Sequence, residues 1–376
     1  MTRAVTPPAQ PPVTPPAPTA LIAMSGGVDS SVAALLMQRA GYHCTGVTMK
    51  LYDNEAIGEP LEGTCCSLAD IDDARAVCAR LGIPYYVFNF SDTFAAQVID
   101  RFIAAYEHGA TPNPCIDCNR YLKFDRLLQR ARQTHFNRIA TGHYARIEKP
   151  VDKTGRWLLR KGLDPAKDQS YVLYAMTQEQ LAHTSFPLGT LTKQEVRTLA
   201  HEQGFETAHK HESQDICFVP NGDYGAFIRR YTGRTPPPGP LVAVDGTVLG
   251  THHGVIDFTV GQRKGIGIAA AHPLYVKEID PATNTVVVAQ NANLYNTIVV
   301  INDINLIATP RIDGTLQAHA KHRYNQTAQP VTARQLDEDT LEVTFTRPQR
   351  ALTKGQALVL YSDDTVIGGG TITHIR

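Results

Sequence analysis

Residues 113–119 read NPCIDCN, which sets Cys115 and Cys118 three positions apart. Thiols at that spacing can form half of a zinc site, a redox pair, or a nucleophile with a neighbour. A third cysteine, Cys217 in SQDICFVP, lies far off in sequence. No second Cys-x-x-Cys and no paired histidines complete a zinc site at ordinary spacing. Residues 25–31 read SGGVDSS. Gly26 and Gly27 would let the backbone approach an anion closely, and Ser25, Ser30 and Ser31 offer hydroxyls to phosphate oxygens. Asp29 is the kind of carboxylate that magnesium accepts beside phosphate oxygens. The GK[ST] ending of a Walker loop is absent, as is the GxGxxG dinucleotide fingerprint. The plainer reading is a glycine turn with Asp29 as a helix-capping carboxylate.

These residues need elements to hold them. TALIAM is a short apolar run, SGGVDSS a turn, and SVAALLMQRAG has helical spacing closed by Gly41. Strand patterns follow at HCTGVTMKLYD, PYYVFNF and RIATGHYARI, with helical patterns at LADIDDARAVCARLG, FAAQVIDRFIAAYEHG and LKFDRLLQRARQT. Such alternation predicts an open parallel α/β sheet covered on both faces, with its site at the carboxyl ends of the strands. On this reading Cys118 sits in a loop just before a helix. The helix N-terminus, with Arg120 and Lys123 nearby, would favour its thiolate. From about residue 225 the helical period fades. GPLVAVDGTVLG and PLYVKEIDPATNTVVVAQ read as hairpins, and short strands continue to the C-terminus, which predicts a β-barrel. The expected organisation is a disordered proline-rich leader at 1–19, a catalytic domain at 20–224, a small central domain at 225–293, and a C-terminal barrel at 294–376.

Lysine plus arginine equals aspartate plus glutamate at 36 each, so any nucleic-acid surface must be a local stripe. Arg229 and Arg230, Arg263 with Lys264, and KHRY at 321–324 are the candidates. Seven cysteines in a chain of 376 residues suit reduced thiols in the cytosol better than a disulfide scaffold. No apolar run is long enough to span a bilayer, so no membrane partner is expected and the location reads as cytoplasmic.

The string from strand through SGGxDS to helix resembles the signature of the PP-loop ATP-pyrophosphatase superfamily, whose fold is adenine nucleotide alpha hydrolase-like. Further strings resemble one branch of it, the bacterial tRNA-uridine 2-sulfurtransferase (2-thiouridylase) family. They are MSGGVDSSVAALL, GVTMK, TPNPCIDCNRYLKF, ATGHYARI, DPAKDQSYVLY, FPLGTLTKQEVR, SQDICFVP, FTVGQRKGIGI, RYNQ, PQRALTKGQALVLY and IGGG, in that order from about residue 22 to the C-terminus. The resemblance implies ATP- and Mg2+-dependent 2-thiolation of the wobble uridine of tRNA, with sulfur from a persulfide donor protein. The tRNAs implied are those for Lys, Glu and Gln, and the enzyme is expected to be a monomer.

The same resemblance implies that Ala23, Met24, Ser25, Gly26, Gly27, Val28, Asp29, Ser30, Met49 and Gly142 surround ATP. Asn113, Pro114 and Cys115 would meet the target base. His143, Lys167, Asp168, Gln169, Arg323, Tyr324 and Gln356 would contact tRNA, although His143 could equally be a satisfied strand-end histidine and the barrel pair plain surface residues. Cys118, Cys217 and Asp29 would be catalytic. In the implied relay Cys217 carries the persulfide and Cys118 releases the product, leaving a Cys118–Cys217 disulfide. In another order, hydrosulfide liberated by Cys118 is the nucleophile. Many family members carry aspartate where Cys115 stands, so Cys115, Cys118 and Cys217 could instead hold an iron–sulfur cluster. An amidotransferase acting on a small molecule, or an RNA-binding module with a vestigial loop, are the other classes. Cys44, Cys65, Cys66 and Cys78 are expected to be chemically bland.

Overall fold

The computed structural model describes residues 17–52, 68–150, 155–210, 216–219 and 222–376. The expected leader therefore lies almost wholly outside the described residues, as do Cys65 and Cys66. Strand β1 (Thr19–Ala23) is buried on both faces and pairs in parallel with β2 (His43–Lys50) and β4 (Arg138–Ala140). Adding β3 (Tyr85–Asn89) and β7 (Thr184–Ser185) gives a five-stranded parallel sheet in the order β3-β2-β1-β4-β7. Helix α1 (Val28–Arg39) and helix α2 (Leu68–Leu81) pack on one face. Because successive crossovers leave β1 in opposite directions, the carboxyl ends of β1 and β4 flank a crevice, the usual place for a ligand in such sheets.

Helix α3 occupies residues 91–107 and α4 residues 114–133, each with a π-helical stretch inside it. The start of α4 corrects the expectation for the cysteine segment. Asn113 is its N-cap, with Oδ1 accepting the Cys115 amide at 3.1 Å, and Pro114 fills the first position, where its missing N–H costs nothing. Cys115 and Cys118 are thus helical residues, and the π-helical stretch Cys118–Arg126 begins at the second cysteine.

A second sheet combines two antiparallel hairpins, β8 (Gly239–Ala243) with β9 (Val248–His252) and β10 (Tyr275–Asp280) with β11 (Thr285–Ala289), joined in parallel through β8 and β11. The C-terminal strands β12 (Tyr295–Leu306), β13 (Thr315–Lys321), β14 (Gln329–Gln335), β15 (Leu341–Arg350), β16 (Ala357–Ser362) and β17 (Thr365–Ile375) close into a six-stranded barrel through β12–β17 pairing. Its interior is aliphatic, with Val299, Ile301, Val343, Leu358 and Leu360 buried.

The segment 138–147 does not form the single strand its pattern suggested. β4 ends at Ala140, and β5 (Ala145–Glu148) pairs with β6 (Leu158–Lys161) to extend the barrel sheet from β17. Arg146 and Arg160 both bind Asp364 and hold this hairpin in place. Two further contacts fix the barrel to α4 and to the loop before it. Arg120 makes a bidentate pair with Asp303, one arm at 2.8 Å, and Gln356 Nε2 donates to the Thr111 carbonyl at 2.8 Å. Among the described residues no helix is long and apolar enough to cross a membrane.

Candidate functional site

The turn between β1 and α1 is held open by its own hydroxyls. Ser30 Oγ donates to the Gly27 carbonyl at 2.9 Å and accepts the Ser25 amide at 3.2 Å, while Ser31 Oγ donates to the same carbonyl. Gly26 has φ +72°, and a Cβ there would lie 2.4 Å from the Asp70 carbonyl oxygen. Gly142, past the end of β4, comes so close to Asp29 and Ser30 that a Cβ would sit 2.8 Å from the Asp29 carbonyl carbon. Met24 is buried and bonded across to β2, its amide to Val47 and its carbonyl to the Thr48 hydroxyl. Ala23 and Met49 are partly buried at the adjoining strand ends. The expected nucleotide residues 23–30, Met49 and Gly142 therefore gather at one crevice, where glycine is required at 26 and 142 because the backbones of Asp70 and Asp29 occupy the space a Cβ would need. Amides and hydroxyls at the N-terminus of α1 are a donor set that fits a nucleoside triphosphate.

Asp29, in the first turn of α1, accepts Lys193 Nζ at 2.7 and 2.9 Å and the Tyr144 hydroxyl at 2.7 Å. Lys193 begins helix α5 (Lys193–Glu202), whose Thr192 cap forms a reciprocal capping box with Glu195. On the other side of the loop Lys210 Nζ reaches Asp70 at 2.6 Å and Asp73 at 2.5 Å. Burial opposes the Lys210 charge, but these two carboxylates outweigh it and raise its pKa. A carboxylate on the helix facing the loop is suited to magnesium, which would neutralise phosphate charge there.

Cys118 is buried and belongs to the apolar cluster of Tyr52, Phe94, Phe102, Leu122 and Phe218, and Cys217 packs against that same cluster. The Tyr52 hydroxyl donates to the Cys217 carbonyl at 2.8 Å, and Phe218 meets Phe94 and Phe102 edge-on. The topology thus seats two cysteines that are distant in sequence on one apolar cluster. Cys115 is exposed at the first turn of α4. The helix-terminus argument made for Cys118 therefore belongs to Cys115, because the influence of a helix end fades within a turn. The five described cysteines are all thiols. Burial pushes Cys44 up to about 11 and Cys78 up to about 12, in keeping with their inert roles. Among the described residues no group of three His, Cys, Asp or Glu side chains converges as a metal site. The described geometry therefore gives no support to an iron–sulfur cluster on Cys115, Cys118 and Cys217.

The remaining expected contacts divide into two kinds. Asp168 and Tyr324 line one groove of about 810 Å³ with Lys161, Lys321 and Arg146. Arg323 donates to the Ala351 carbonyl at 2.9 Å, close to the turn carrying Arg263 and Lys264; a methyl group on Gly261 would lie 3.8 Å from Arg323 and 3.5 Å from Arg350. Arg263 and Lys264 are exposed. Lys167 sits at the groove's edge, its amide bonded to the Asp164 carbonyl. Other side chains serve the frame. Asp168 clamps the amides of Gly162 and Ser170, Gln169 accepts the Tyr144 amide, and Gln356 supports the loop before Asn113. His143 is 9% exposed, paired with the Thr141 hydroxyl at 2.6 Å and enclosed by Phe124 and Phe186. Burial, aided by Lys123, holds it well below the usual histidine range, so it is neutral. Arg229 is committed to Asp257, which removes it from the expected stripe.

Beneath α4 a cavity of about 300 Å³ is lined by Asn113, Asp117, Arg101, Arg120 and Asp303. Burial pushes Asp117 up to about 6 despite the opposing pull of Arg101 and Arg120. Sequence reading did not single out Lys193, Tyr144, Lys210 or Tyr52. Only Lys193 carried a local signal, the Thr-x-x-Glu capping box beside it.

Three family models match the chain in order: a tRNA methyl transferase HUP domain over residues 19–221, a tRNA methyl transferase PRC-barrel domain over 225–290, and an aminomethyltransferase beta-barrel domain over 296–372. A tRNA-specific 2-thiouridylase MnmA of Clostridioides difficile is 45% identical over 352 residues, covering 94% of this chain and 97% of the relative. The one of Symbiobacterium thermophilum is 48% identical over 355 residues, covering 94% and 91%. A 4-thiouridine synthetase–RNA complex with bound ATP overlaps 54% of this chain and 46% of its own, at 17% identity and a TM-score of 0.35, too loosely to carry an argument.

Proposed function

The chain belongs to the tRNA-specific 2-thiouridylase family, and from that premise we propose how its residues divide the work of the reaction. The protein is a tRNA sulfurtransferase that thiolates uridine at the expense of ATP. ATP lies with its phosphates on the 25–30 turn against the N-terminus of α1, where amides and the helix dipole favour an anion. Met49 and Gly142 bound the rest of the nucleotide. Magnesium, held by Asp29 and phosphate oxygens, would supply charge neutralisation; Lys193 keeps that carboxylate in place until then.

The substrate is the wobble uridine of the tRNAs for Lys, Glu and Gln, presented to Asn113, Pro114 and Cys115 at the start of α4. Its 2-oxygen attacks the α-phosphorus and expels pyrophosphate, giving an adenylated base. A protein persulfide donor has by then charged Cys217. The terminal sulfur of that persulfide attacks carbon 2 and AMP departs, which leaves the base joined to Cys217 through a disulfide. The Cys118 thiolate attacks Cys217 Sγ, 2-thiouridine leaves as its thiolate, and a Cys118–Cys217 disulfide remains for an external thiol to reduce. The observation that carries this reading is the seating of Cys118 and Cys217 on one apolar cluster, with Tyr52 fixing the Cys217 backbone. The groove between 161–168 and the barrel, where Lys161, Lys321 and Arg146 stand among Asp168, Asp363 and Asp364, and the exposed Arg263–Lys264 turn are the surfaces that support a tRNA path outside that cluster. The working form is a cytoplasmic monomer.

The test uses iron-stripped protein with ATP, Mg2+, a persulfide donor and unmodified tRNA, with nucleosides read by mass spectrometry. Thiouridine is expected from wild type and is expected to vanish in Cys118→Ser and in Cys217→Ser. Product from either serine variant at the wild-type rate would overturn the relay.

A further inference from the structure

A groove of about 500 Å³ between β3 and the second half of α4 has no part in the chemistry described above. Phe88 and Phe90 form one wall at the end of β3, and Arg126, Gln129, Arg130 and Gln133 form the other. No carboxylate stands among the described residues that line it, whereas the larger groove beside the barrel has three, Asp168, Asp363 and Asp364. Arg126 and Arg130 are exposed, and neither forms an ion pair among the described residues. Each is steadied from its own helix instead, Arg126 Nη1 donating to Gln129 Oε1 at 3.2 Å and Arg130 Nη1 to Gln133 Oε1 at 3.3 Å. The Arg130 guanidinium also lies 5.3 Å from the centre of the Phe88 ring. Tyr86, two residues back on the same face of this edge strand, is 57% exposed.

Two uncompensated guanidinium groups call for an anion, and rings with amide side chains beside them suit one kind of polyanion. Single-stranded RNA offers phosphates to arginine, unstacked bases to aromatic and guanidinium planes, and base edges to amides; a duplex leaves the rings without use. The fold also says which strand is within reach. Helix α4 carries Asn113, Pro114 and Cys115 at its start, and Arg126 and Arg130 lie 11 and 15 positions beyond Cys115, at most about 16–22 Å along the helix. Phe90, in the floor of the groove, packs against the cluster that holds Cys118. We propose that this groove binds the single-stranded segment of the substrate tRNA adjoining the target uridine, with Arg126 and Arg130 taking two phosphates and Phe88 one unstacked base. The inference rests on the placing of that uridine at residues 113–115. Its consequence is a choice of substrate: a uridine is accepted only where its neighbours are free to leave the stack, and one inside a helix is passed over.

The experiment measures binding of unmodified substrate tRNA to the full-length protein by fluorescence anisotropy across a salt series. Arg126→Gln combined with Arg130→Gln is expected to weaken binding and to lower the slope of log affinity against log salt by roughly 1.4, or about 0.7 for each lost single-strand phosphate contact. Phe88→Leu is expected to weaken binding about five- to a hundredfold, the range for one base stacked on a ring, with the slope unchanged. A groove that served only the fold would not divide the two effects in this way. ATP affinity by equilibrium dialysis is expected to stay at the wild-type value in both, and the double variant should raise KM for tRNA with kcat unchanged. Both arginines are on the helix surface, so the double variant decides the matter if Phe88→Leu does not fold. Wild-type tRNA affinity and salt slope in the double variant overturn the proposal. They do so equally if that variant has lost persulfide transfer from the donor protein, which would make the groove a protein-docking surface. Asn113→Ala reports separately on the base site: it is expected to lower thiolation while keeping the wild-type salt slope, so a failure there is told apart from a failure of the groove.

Discussion

Replacing Gly26 with alanine tests whether the 25–30 turn is held in an ATP-binding shape by its close approach to the backbone of α2. Two costs can be separated. The residue sits at φ +72°, where an L-side chain pays about 1–2 kcal/mol. The new Cβ also falls 2.4 Å from the Asp70 carbonyl oxygen and 2.7 Å from its Cα, a collision with backbone that no rotamer relieves. Overpacking of this kind adds about 1–3 kcal/mol, so the total is about 2–5 kcal/mol. Gly41→Ala is the control, with φ +84° and nothing within 4 Å of its Cβ, so it pays only the first part. Urea denaturation should place Gly26→Ala below Gly41→Ala by the overpacking difference. The loop itself must also shift away from α2, so ATP affinity should fall about tenfold or more, equivalent to at least 1.4 kcal/mol of lost anion contact. Gly41→Ala should bind ATP as wild type does. Equal stability and equal ATP affinity for the two variants would refute the close-approach argument.

Because burial raises Asp117 from 3.8 to about 6, the native state holds its proton more tightly than the unfolded chain, and stability should fall as pH rises through that window. Asp117→Asn should flatten this slope, by at most about 3 kcal/mol across the window; chemical denaturation at pH 4.5 and 7 checks it, and an unchanged slope contradicts it. Neutralising Arg263 and Lys264 together should weaken tRNA binding and reduce the slope of log affinity against log salt by roughly 0.7–0.9 per lost phosphate contact. Binding unchanged at both low and high salt would remove that turn from the RNA path.

The parallel sheet was legible because β1 is a short apolar run bounded by turn residues, β2 is rich in β-branched Thr and Val, and the helices between the strands keep their period. The turn at 25–31 was legible because its glycines and serines work locally. The break at residues 141–144 was not, since an apolar alternation does not say to which sheet each half belongs; Gly142 lies beside Asp29 while β5, three residues on, joins the barrel. The start of α4 could have been placed correctly, because Asn113–Pro114 is an N-cap followed by a first-turn proline; the apolar period of the later turns drew attention past it. Lys210 and Tyr52 were invisible for a different reason. Their partners, Asp70 with Asp73 and the Cys217 carbonyl, are far away in the chain, and no spacing rule reports a contact made only by folding.

The β5–β6 hairpin has a consequence for synthesis on the ribosome. It is made early, yet the strand it pairs with, β17, emerges only about 200 residues later, and Asp364, which binds both of its arginines, arrives with it. At about 5–20 residues per second the hairpin waits on the order of ten to forty seconds without its neighbour. During that interval it is an open edge of the kind that recruits foreign strands. A message cut short before β17 yields a chain whose nucleotide-binding half is complete but whose edge is never covered, a lasting signal by which chaperones and proteases can tell the unfinished product from the finished one.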